Sequence, residues 1–380
     1  MLLSRLPRLA SPLARTSMRT LTTTPSLLRP VQLLSPKELS SLLTSPASQT
    51  QGKEGDVVVL DASWFMPNLD PPRDAWAEFR KKRIEGSGFW HLDQIASTSD
   101  VGVPHNIPTK ELFEDACSRL GIGRESHVVV YDTQGVFSSP RAVFTFDHFS
   151  HPQISVLDGG LPRWIAEGYP ISTTSPANPN PHALLEGEKA SYQGIFSELL
   201  YAVKPRVESY FIADIEELFT DYKVPEGAEK KGDVEQWQDM VSNSEKGEGQ
   251  GNAVLDARPE GRFHGTAPEP RPSLSSGHMP HSLSLPFSSV LSESSATEPS
   301  YKTLKSPEEL VKVFKETLGA EEWEKVKKGE RGVTTTCGSG MTAAILWLAL
   351  QRAGVSDNVS LYDESWTGYA SRPESKIVKS

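Results

Sequence analysis

The sequence VTTTCGSGMTAAILWLAL, residues 333–350, decides the fold that is expected for this chain. Its first four residues are β-branched or hydroxylated and are typical of the end of a buried strand, and its last eight form an apolar helix. Between them lies a tight loop that begins with Cys337 and has glycines at positions 338 and 340. A strand followed by a loop and a helix is the unit from which α/β folds with a parallel sheet are built.

The loop at Cys337 is suited to an anion. Gly338 and Gly340 let the backbone curl so that successive N–H groups point inward, and the following helix directs the positive end of its dipole at the same place. An anion at the Cys337 sulfur is the thiolate itself, so the pattern predicts a nucleophilic cysteine. The alternative is a buried structural cysteine beside a glycine turn, which is the commoner fate of an isolated cysteine.

Length and composition set the class of protein. With 380 residues, of which 37% are hydrophobic, the chain is long enough for two globular domains. A formal net charge of −10 argues against binding to nucleic acid. The two cysteines cannot make a disulfide framework and the histidines are scattered, so no metal or other cofactor is predicted. The longest apolar run, 343–350, is too short to span a bilayer, and no membrane interaction is expected.

Residues 1–30 have the composition of an organelle transit peptide. They hold five arginines among many Leu, Ser and Thr residues, and the first acidic residue of the chain is Glu38. Basic, acid-free segments of this kind direct import into mitochondria. The prediction is import into the mitochondrial matrix and removal of the segment before Val31. The alternative is a basic tail without a targeting role.

The strand and helix pattern occurs twice. Over 31–170 apolar strands alternate with helices, which predicts a mostly parallel sheet with helices on both faces. A stretch rich in Pro, Asn and Ser at 171–194 is expected to be a linker, and the pattern returns over 195–380. Residues 225–252 are rich in Lys, Glu and Gly and are expected to be a surface insertion of the second domain.

Short motifs in the two halves match each other. In the register that they define, Cys337 falls where the first half has Asp132. The chain is therefore predicted to be an internal duplication, α/β in class, in which the second copy alone kept a nucleophile. The matched motifs are VLDAS at 59–63 with VLDAR at 254–258, and VLDGG at 156–160 with LYDES at 361–365.

An ordered set of motifs gives the chain a family resemblance. The set consists of LDGGLPRW at 157–164, LDARPEGRFHGTAPEPR at 255–271, SGHMP at 276–280, CGSGMTA at 337–343 and YDESW at 362–366. In this order the motifs resemble the two-domain sulfurtransferases of the rhodanese family, over nearly everything from Val31 onward. The resemblance implies tandem rhodanese-like domains, of which the first is non-catalytic and the second is catalytic.

The chemistry that the resemblance implies is a persulfide relay at Cys337. The thiolate takes sulfur from a small-molecule donor, and a thiol acceptor such as thioredoxin or a small thiol, or cyanide, then removes it. Gly338, Gly340, Met341 and Thr342 of the same motif are expected to contact the substrate. In this family, loops acting on thiosulfate place basic residues after the cysteine, whereas those acting on 3-mercaptopyruvate have the neutral Gly-Ser-Gly found here. The resemblance therefore favours 3-mercaptopyruvate, with thiosulfate as the alternative donor.

By the match to the family motifs, Arg262 and Arg271 are the residues expected to hold the donor's carboxylate. An α-keto acid is best held by guanidinium groups in bidentate geometry. The alternative is that both arginines are exposed and pair with Glu260 or Glu269, which contributes little energy.

Three residues are expected to handle protons. Ser339 provides the one hydroxyl between the two loop glycines and is suited to pass a proton to a pyruvate enolate, or else it caps the following helix. By the resemblance, Asp93 and His105 reach across the domain interface and orient Ser339 as a charge relay. The alternative is that Asp93 and His105 serve turn geometry in a polar loop.

Two other functions compete with sulfur transfer. Cysteine phosphatases of rhodanese-like fold have an arginine at the sixth position after the nucleophile, where this chain has Ala343 and too little charge for a phosphoryl group. A non-catalytic docking module is disfavoured by the presence of Cys337 and its glycines. A monomer or a weak oligomer is expected.

Overall fold

The computed structural model describes residues 31–45, 55–174, 220–230, 232–294 and 297–380. The predicted transit peptide, most of the predicted linker and the first part of the predicted second domain lie outside these ranges. Within the described ranges no helix is long and apolar enough to cross a membrane. The same residues contain no group of His, Cys, Asp and Glu side chains that is placed to hold a metal ion.

The first half is built on a five-stranded parallel sheet. Its strands are β1 (Gln32–Leu34), β2 (Val57–Asp61), β3 (Arg83–Ile84), β4 (Gly88–Phe89), β5 (His127–Tyr131), β6 (Ile154–Leu157) and β7 (Ile171–Ser172). Five of them form the sheet, in the order β1-β6-β5-β2-β4, and β3 pairs antiparallel with β7. The helices are α1 (Pro36–Leu43), α2 (Ala75–Lys81), α3 (Lys110–Arg119), α4 (Ser139–His148) and α5 (Gly160–Ala166).

Local sequence signals fix the start of α1. The Ser35 hydroxyl accepts the Glu38 backbone N–H at 3.3 Å, and the Glu38 carboxylate accepts the Ser35 backbone N–H at 2.7 Å. This reciprocal capping box satisfies two N–H groups that the first turn of a helix otherwise leaves without partners.

The second half is built in the same way. Its strands are β8 (Val234–Glu235), β9 (Ala253–Asp256), β10 (Leu283–Ser284), β11 (Leu291–Ser294), β12 (Tyr301–Leu304), β13 (Val333–Thr336) and β14 (Val359–Tyr362). The sheet order is β10-β9-β13-β14-β8, all parallel, while β11 and β12 form an antiparallel hairpin. The helices are α6 (Trp237–Glu245), α7 (Glu260–Phe263), α8 (Pro307–Leu318), α9 (Ala320–Lys327), α10 (Ala343–Arg352) and α11 (Ser365–Ala370), with a 3₁₀ turn at Phe287–Val290.

The two sheets have the same topology, which confirms the predicted duplication. Strands β8, β14, β13, β9 and β10 correspond to β1, β6, β5, β2 and β4. Tyr131 pairs with Asp61 in the first sheet, and Thr336 pairs with Asp256 in the second. The residues that follow these two strands, Asp132 and Cys337, therefore occupy the same position in their domains.

The structure differs from the predicted surface insertion at 225–252. Strand β8 and helix α6 lie in this stretch, and β8 pairs with β14 at the edge of the second sheet. They correspond to β1 and α1, so this stretch contains the beginning of the second sheet. Because β8 is two residues long and stands among charged residues, no apolar period marks it in the sequence.

Helices α4 and α10 pack against each other between the two halves. Every residue of α4 is buried, as are the first eight residues of α10. The rings of Phe144 and Trp347 meet edge to face, with centroids 5.1 Å apart. Both helices begin just after the equivalent loops at Asp132 and Cys337, so this interface brings each loop close to the other domain.

Candidate active site

Cys337 lies at the carboxyl end of β13, in the middle of the second sheet. Strand β13 is buried along its whole length between β9 and β14, and Cys337 itself is 2% exposed. The carboxyl ends of central parallel strands are where open α/β sheets place their ligand sites. The structure therefore puts the predicted nucleophile where this class of fold performs chemistry.

Ser365 anchors the loop that follows Cys337. Its hydroxyl oxygen accepts the backbone N–H groups of Cys337 at 3.1 Å and Gly340 at 3.0 Å, and it lies 3.9 Å from the Cys337 sulfur. The hydroxyl donates to the Tyr362 carbonyl at 2.8 Å. Ser365 has φ of +50°, a region that favours glycine, and the first half has Gly160 at the same position. Ser365 is absent from the residues that the sequence predicts, and this hydroxyl in place of a glycine is the signal for it.

Several other N–H groups of the loop have no acceptor. In the part of the chain that the structure describes, nothing pairs with the backbone N–H groups of Gly338, Ser339, Met341 and Thr342. Helix α10 begins directly after them and adds the positive end of its dipole. An anion at this loop would therefore meet free N–H donors.

The first half fills the equivalent loop with a carboxylate of its own. Asp132, at the position of Cys337, accepts hydrogen bonds from the residues that follow it. The donors are the backbone N–H groups of Gln134 (2.8 Å), Phe137 (2.9 Å), Ser138 (3.1 Å) and Ser139 (3.0 Å), together with the Ser139 hydroxyl (2.7 Å). The loop of this fold thus binds an anion in the first domain, whereas no carboxylate of the described residues binds the N–H groups of the Cys337 loop.

Arg262, on the short helix α7, lies against the loop. A methyl group at Gly338 would be 3.3 Å from its Nη2 atom. Its Nε–H donates to the Glu269 carboxylate at 3.0 Å, and the buried Glu269 also accepts Arg258 Nη1 at 2.7 Å. Arg262 therefore has the partner that the alternative interpretation named, but it is mostly buried beside the loop and not exposed on the surface.

Arg271 is connected to the same loop through Thr367. The Arg271 Nη1–H donates to the Thr367 hydroxyl at 2.9 Å, and that hydroxyl donates to the Gly338 carbonyl at 2.6 Å. The remainder of the Arg271 side chain faces solvent. The structure thus brings both predicted arginines to Gly338, Arg262 directly and Arg271 through one hydroxyl.

The structure brings Asp93 and His105 together. His105 Nδ1 lies 2.8 Å from Asp93 Oδ1, and the Trp64 indole N–H donates to the same oxygen at 2.8 Å. Burial disfavours the charged Asp93 carboxylate, but the hydrogen bond and the charge of His105 outweigh that effect and hold its pKa below the ordinary value. Within the described ranges no hydrogen bond or ion pair joins Asp93 or His105 to Ser339.

The structure excludes one of the two roles considered for Ser339 and limits the substrate contact expected of Met341. Helix α10 begins at Ala343 with Thr342 at its N-cap, so Ser339, which is half-buried, does not cap it. The Met341 side chain is buried in the hydrophobic core because it follows the turn inward. A substrate contact from Met341 is therefore limited to its backbone N–H.

The second cysteine, Cys117, belongs to the core of the first domain. It lies on α3, is fully buried and packs in the main hydrophobic cluster. Burial raises the pKa of its thiol well above the ordinary value. Cys117 is therefore a structural residue, which leaves Cys337 as the candidate nucleophilic cysteine.

Comparison with known proteins places this site in a family. Residues 237–372 match the family model described as a rhodanese-like domain. The mitochondrial thiosulfate/3-mercaptopyruvate sulfurtransferase 1 of Arabidopsis thaliana is 33% identical over 333 residues, which are 86% of this chain and 74% of that protein. The chain belongs to the rhodanese family of sulfurtransferases.

Other members of the rhodanese family agree with this assignment. The 3-mercaptopyruvate sulfurtransferase of Homo sapiens is 32% identical over 323 residues, covering 84% of this chain and 87% of the human protein. The cryo-EM structure of the sub-stoichiometric sulfur transferase subunit of yeast mitochondrial complex I superposes with a TM-score of 0.66 and is 31% identical. That similarity covers 92% of this chain and 99% of the yeast chain, so it extends over both rhodanese-like domains.

Proposed function

We propose that this sulfurtransferase moves sulfur from 3-mercaptopyruvate, through a persulfide on Cys337, to a thiol acceptor or cyanide, and releases pyruvate. The proposal rests above all on one observation: four N–H groups of the Cys337 loop, those of residues 338, 339, 341 and 342, have no acceptor among the described residues, whereas Asp132 occupies the N–H groups of the equivalent first-domain loop. A thiolate or a persulfide anion is the group that such a loop stabilises.

The charges around the loop favour a donor with one carboxylate. Arg262 lies against Gly338, and Arg271 reaches the same residue through Thr367. The loop itself has no basic residue between Cys337 and Ala343, so it offers little attraction to a dianion such as thiosulfate. A single carboxylate beside a carbonyl matches two guanidinium groups in hydrogen-bonding geometry.

The transfer takes place in two displacements on sulfur. The Cys337 thiolate attacks the sulfur of 3-mercaptopyruvate, an S–S bond forms, and the C–S bond breaks with its electron pair going to carbon as the pyruvate enolate. The proton of the donor's thiol ends on that carbon, and the Ser339 hydroxyl is suited to relay it. In the second step an acceptor thiolate, from thioredoxin or a small thiol, or a cyanide ion, attacks the outer sulfur, and the Cys337 thiolate leaves.

We also place the enzyme in the mitochondrial matrix and assign its domains as follows. Residues 1–30 have the composition of a transit peptide, and two similar proteins have "mitochondrial" in their names. Residues 31–170 form the non-catalytic domain, and the catalytic domain lies within 195–380. A fluorescent fusion to residues 1–40 should localise to mitochondria, and a diffuse cytosolic signal would contradict the assignment.

Steady-state kinetics with cyanide as acceptor test the proposed function. We expect a higher kcat/KM for 3-mercaptopyruvate than for thiosulfate, no turnover in Cys337→Ser, and turnover close to wild type in Cys117→Ala, the matched control. An equal or higher kcat/KM for thiosulfate would overturn the donor assignment. Sulfur transfer that persists in Cys337→Ser would overturn the mechanism.

A further inference from the structure

Arg141 of the first domain reaches the active loop of the second domain. It lies on α4 with 2% of its surface exposed. Its Nη2 atom donates to the His105 carbonyl at 2.6 Å and lies 2.6 Å from Asp363 Oδ1. The other Asp363 oxygen accepts the Ile107 backbone N–H at 2.6 Å. One buried ion pair therefore joins the loop that contains His105 to the end of β14.

The same guanidinium group is packed against the turn at Gly340. A methyl group at Gly340 would lie 3.1 Å from Arg141 Nη1 and 2.9 Å from the Asp363 carbonyl oxygen. Gly340 has φ of +81°, so this turn needs glycine for its backbone as well as for its lack of a side chain. Arg141 Nη1 is buried and has no hydrogen-bond acceptor among the described residues. A buried charged donor without an acceptor thus lies beside the loop that would hold the persulfide.

We propose that Arg141 is a positioning residue for sulfur transfer, through which the first domain sets the shape of the Cys337 loop and the place of His105. This inference rests on the proposed function, because it assigns Arg141 a part in the reaction at Cys337. It also gives the non-catalytic domain a specific task at the active site.

The first domain lacks a buried ion pair of this kind, formed across the domain interface, at the equivalent position. Asp158 corresponds to Asp363 and likewise accepts a backbone N–H from the other domain, that of Leu304 at 3.0 Å. Its cation, however, is Arg163 of the same domain, 3.5 Å away and partly exposed. The buried cation from the opposite domain is therefore found at the loop with the thiol and not at the loop that Asp132 fills.

A purely stabilising role explains this pair poorly. Burying an ion pair costs desolvation energy that its attraction often fails to exceed, and well-packed apolar residues are frequently as stable. What the planar guanidinium adds is geometry, since it holds two nitrogens at a fixed separation: Nη2 lies at the His105 carbonyl and Asp363, while Nη1 lies against Gly340. An ammonium group at the same place keeps the charge, but its single nitrogen cannot contact His105 and Asp363 and also pack against Gly340.

Arg141→Met, Arg141→Lys and the matched control Arg163→Met test the inference in the full-length enzyme. We expect Arg141→Met to lower kcat about 30-fold with a change in KM below about threefold, because displacing a reacting group costs rate more than binding. Arg141→Lys should recover most of the melting temperature but little of kcat. Arg163→Met should keep the wild-type kcat. A kcat within about threefold of wild type in folded Arg141→Met, full recovery of kcat by lysine, or an equal loss in Arg163→Met would each overturn the inference.

Two further measurements separate this inference from folding and from the proposed function. If Arg141→Met does not fold, Arg141→Met with Asp363→Asn removes both charges together, and the same loss of kcat is expected. The rate at which iodoacetamide alkylates Cys337 should fall in the Arg141 variants and not in Arg163→Met, whatever the sulfur donor. A wild type that transfers no sulfur would overturn the proposed function, whereas unchanged alkylation in the Arg141 variants would overturn the positioning role.

Discussion

The loops at Asp132 and Cys337 have the same place in two copies of one sheet, and they differ in what occupies their N–H groups. In the first domain, the Asp132 carboxylate accepts hydrogen bonds from the backbone N–H groups of residues 137–139. In the second, the side chain at that position is a thiol, and several N–H groups have no acceptor among the described residues. The first loop uses its donors for its own stability, while in the proposed function the second keeps them for an anion formed during the reaction.

The two loops are also covered differently. A methyl group at Gly135 of the first loop would lie 2.6 Å from the Lys302 carbonyl oxygen of β12, and Phe137 meets Phe287 edge to face. In the second loop the equivalent Gly340 is packed instead by the Asp363 carbonyl oxygen and by Arg141 of the first domain, and Arg262 lies beside Gly338. The loop that we propose as the active site thus differs from its copy in two ways: among the described residues it has no internal anion bound to it, and it has cationic side chains beside it.

Exchanging the side chains at positions 132 and 337 should remove the difference between the two loops and give the largest effect on sulfur transfer. Cys337→Asp supplies the carboxylate of the first loop, so we expect sulfur transfer to fall by about 10⁴-fold or more, with a melting temperature equal to or above that of wild type. Asp132→Cys should create no second active site, because the hairpin still covers that loop. Persulfide on residue 132 of that variant, measured by peptide mass spectrometry, would show that the cover is unimportant.

Removing the cation beside the second loop should have the next largest effect. Arg262→Met takes away a charged hydrogen-bond donor to the substrate's carboxylate, worth about 1.5–3 kcal/mol, so kcat/KM should fall by about 10- to 100-fold, mainly through KM. Arg271→Met should have a smaller effect, because Arg271 reaches the loop through Thr367. A fall confined to kcat would contradict the role of Arg262 in binding.

Ser365→Gly places in the second domain the residue that the first has at this position, Gly160. Glycine relieves the positive φ of Ser365 but removes the hydroxyl that accepts the N–H groups of Cys337 and Gly340. We expect kcat to fall about tenfold, since the loop loses one hydrogen-bonded anchor, while stability changes by less than about 1 kcal/mol. Steady-state kinetics and urea unfolding measure the two quantities. Loss of stability without loss of kcat would make Ser365 a structural residue only.

The smallest effect on activity is expected at Asp61 and Asp256, which also share one position in the two domains and whose substitution should change stability instead. Asp256 pairs with the buried Arg258 at 2.6 Å, whereas burial raises the pKa of Asp61 to about 7. The folded protein then keeps a proton on Asp61 that the unfolded chain loses near pH 4, so this residue's contribution to stability falls as pH rises from about 4 to about 7. Asp61→Asn should remove that dependence, by on the order of a few kcal/mol in urea unfolding. Asp256→Asn, the control, should destabilise at all pH values because it leaves Arg258 buried without that partner.

Sequence patterns predicted what depends on neighbours along the chain. The glycine loop at Cys337 and the alternation of strands and helices are local signals, the matched motifs of the two halves indicate the duplication, and the structure confirms the fold that they imply. Strand β8 was not predicted because a strand of two residues at a sheet edge is too short to show a hydrophobic periodicity. The hydrogen bond between Gly340 and the distant Ser365 hydroxyl does not follow from any one stretch of sequence, although the serine in place of Gly160 marks the position. The same holds for the ion pair of Arg141 with Asp363, which forms only when the two domains meet.

The central claim, that the unoccupied loop holds sulfur on Cys337, is tested most directly by peptide mass spectrometry of the wild-type enzyme. The protein is incubated with 3-mercaptopyruvate in the absence of any acceptor and then digested for peptide mapping. The account predicts the added mass of one sulfur atom on the peptide with Cys337, none on the peptide with Cys117, and its disappearance when cyanide is added. Sulfur on Cys117, or no added sulfur while pyruvate is released, would contradict it.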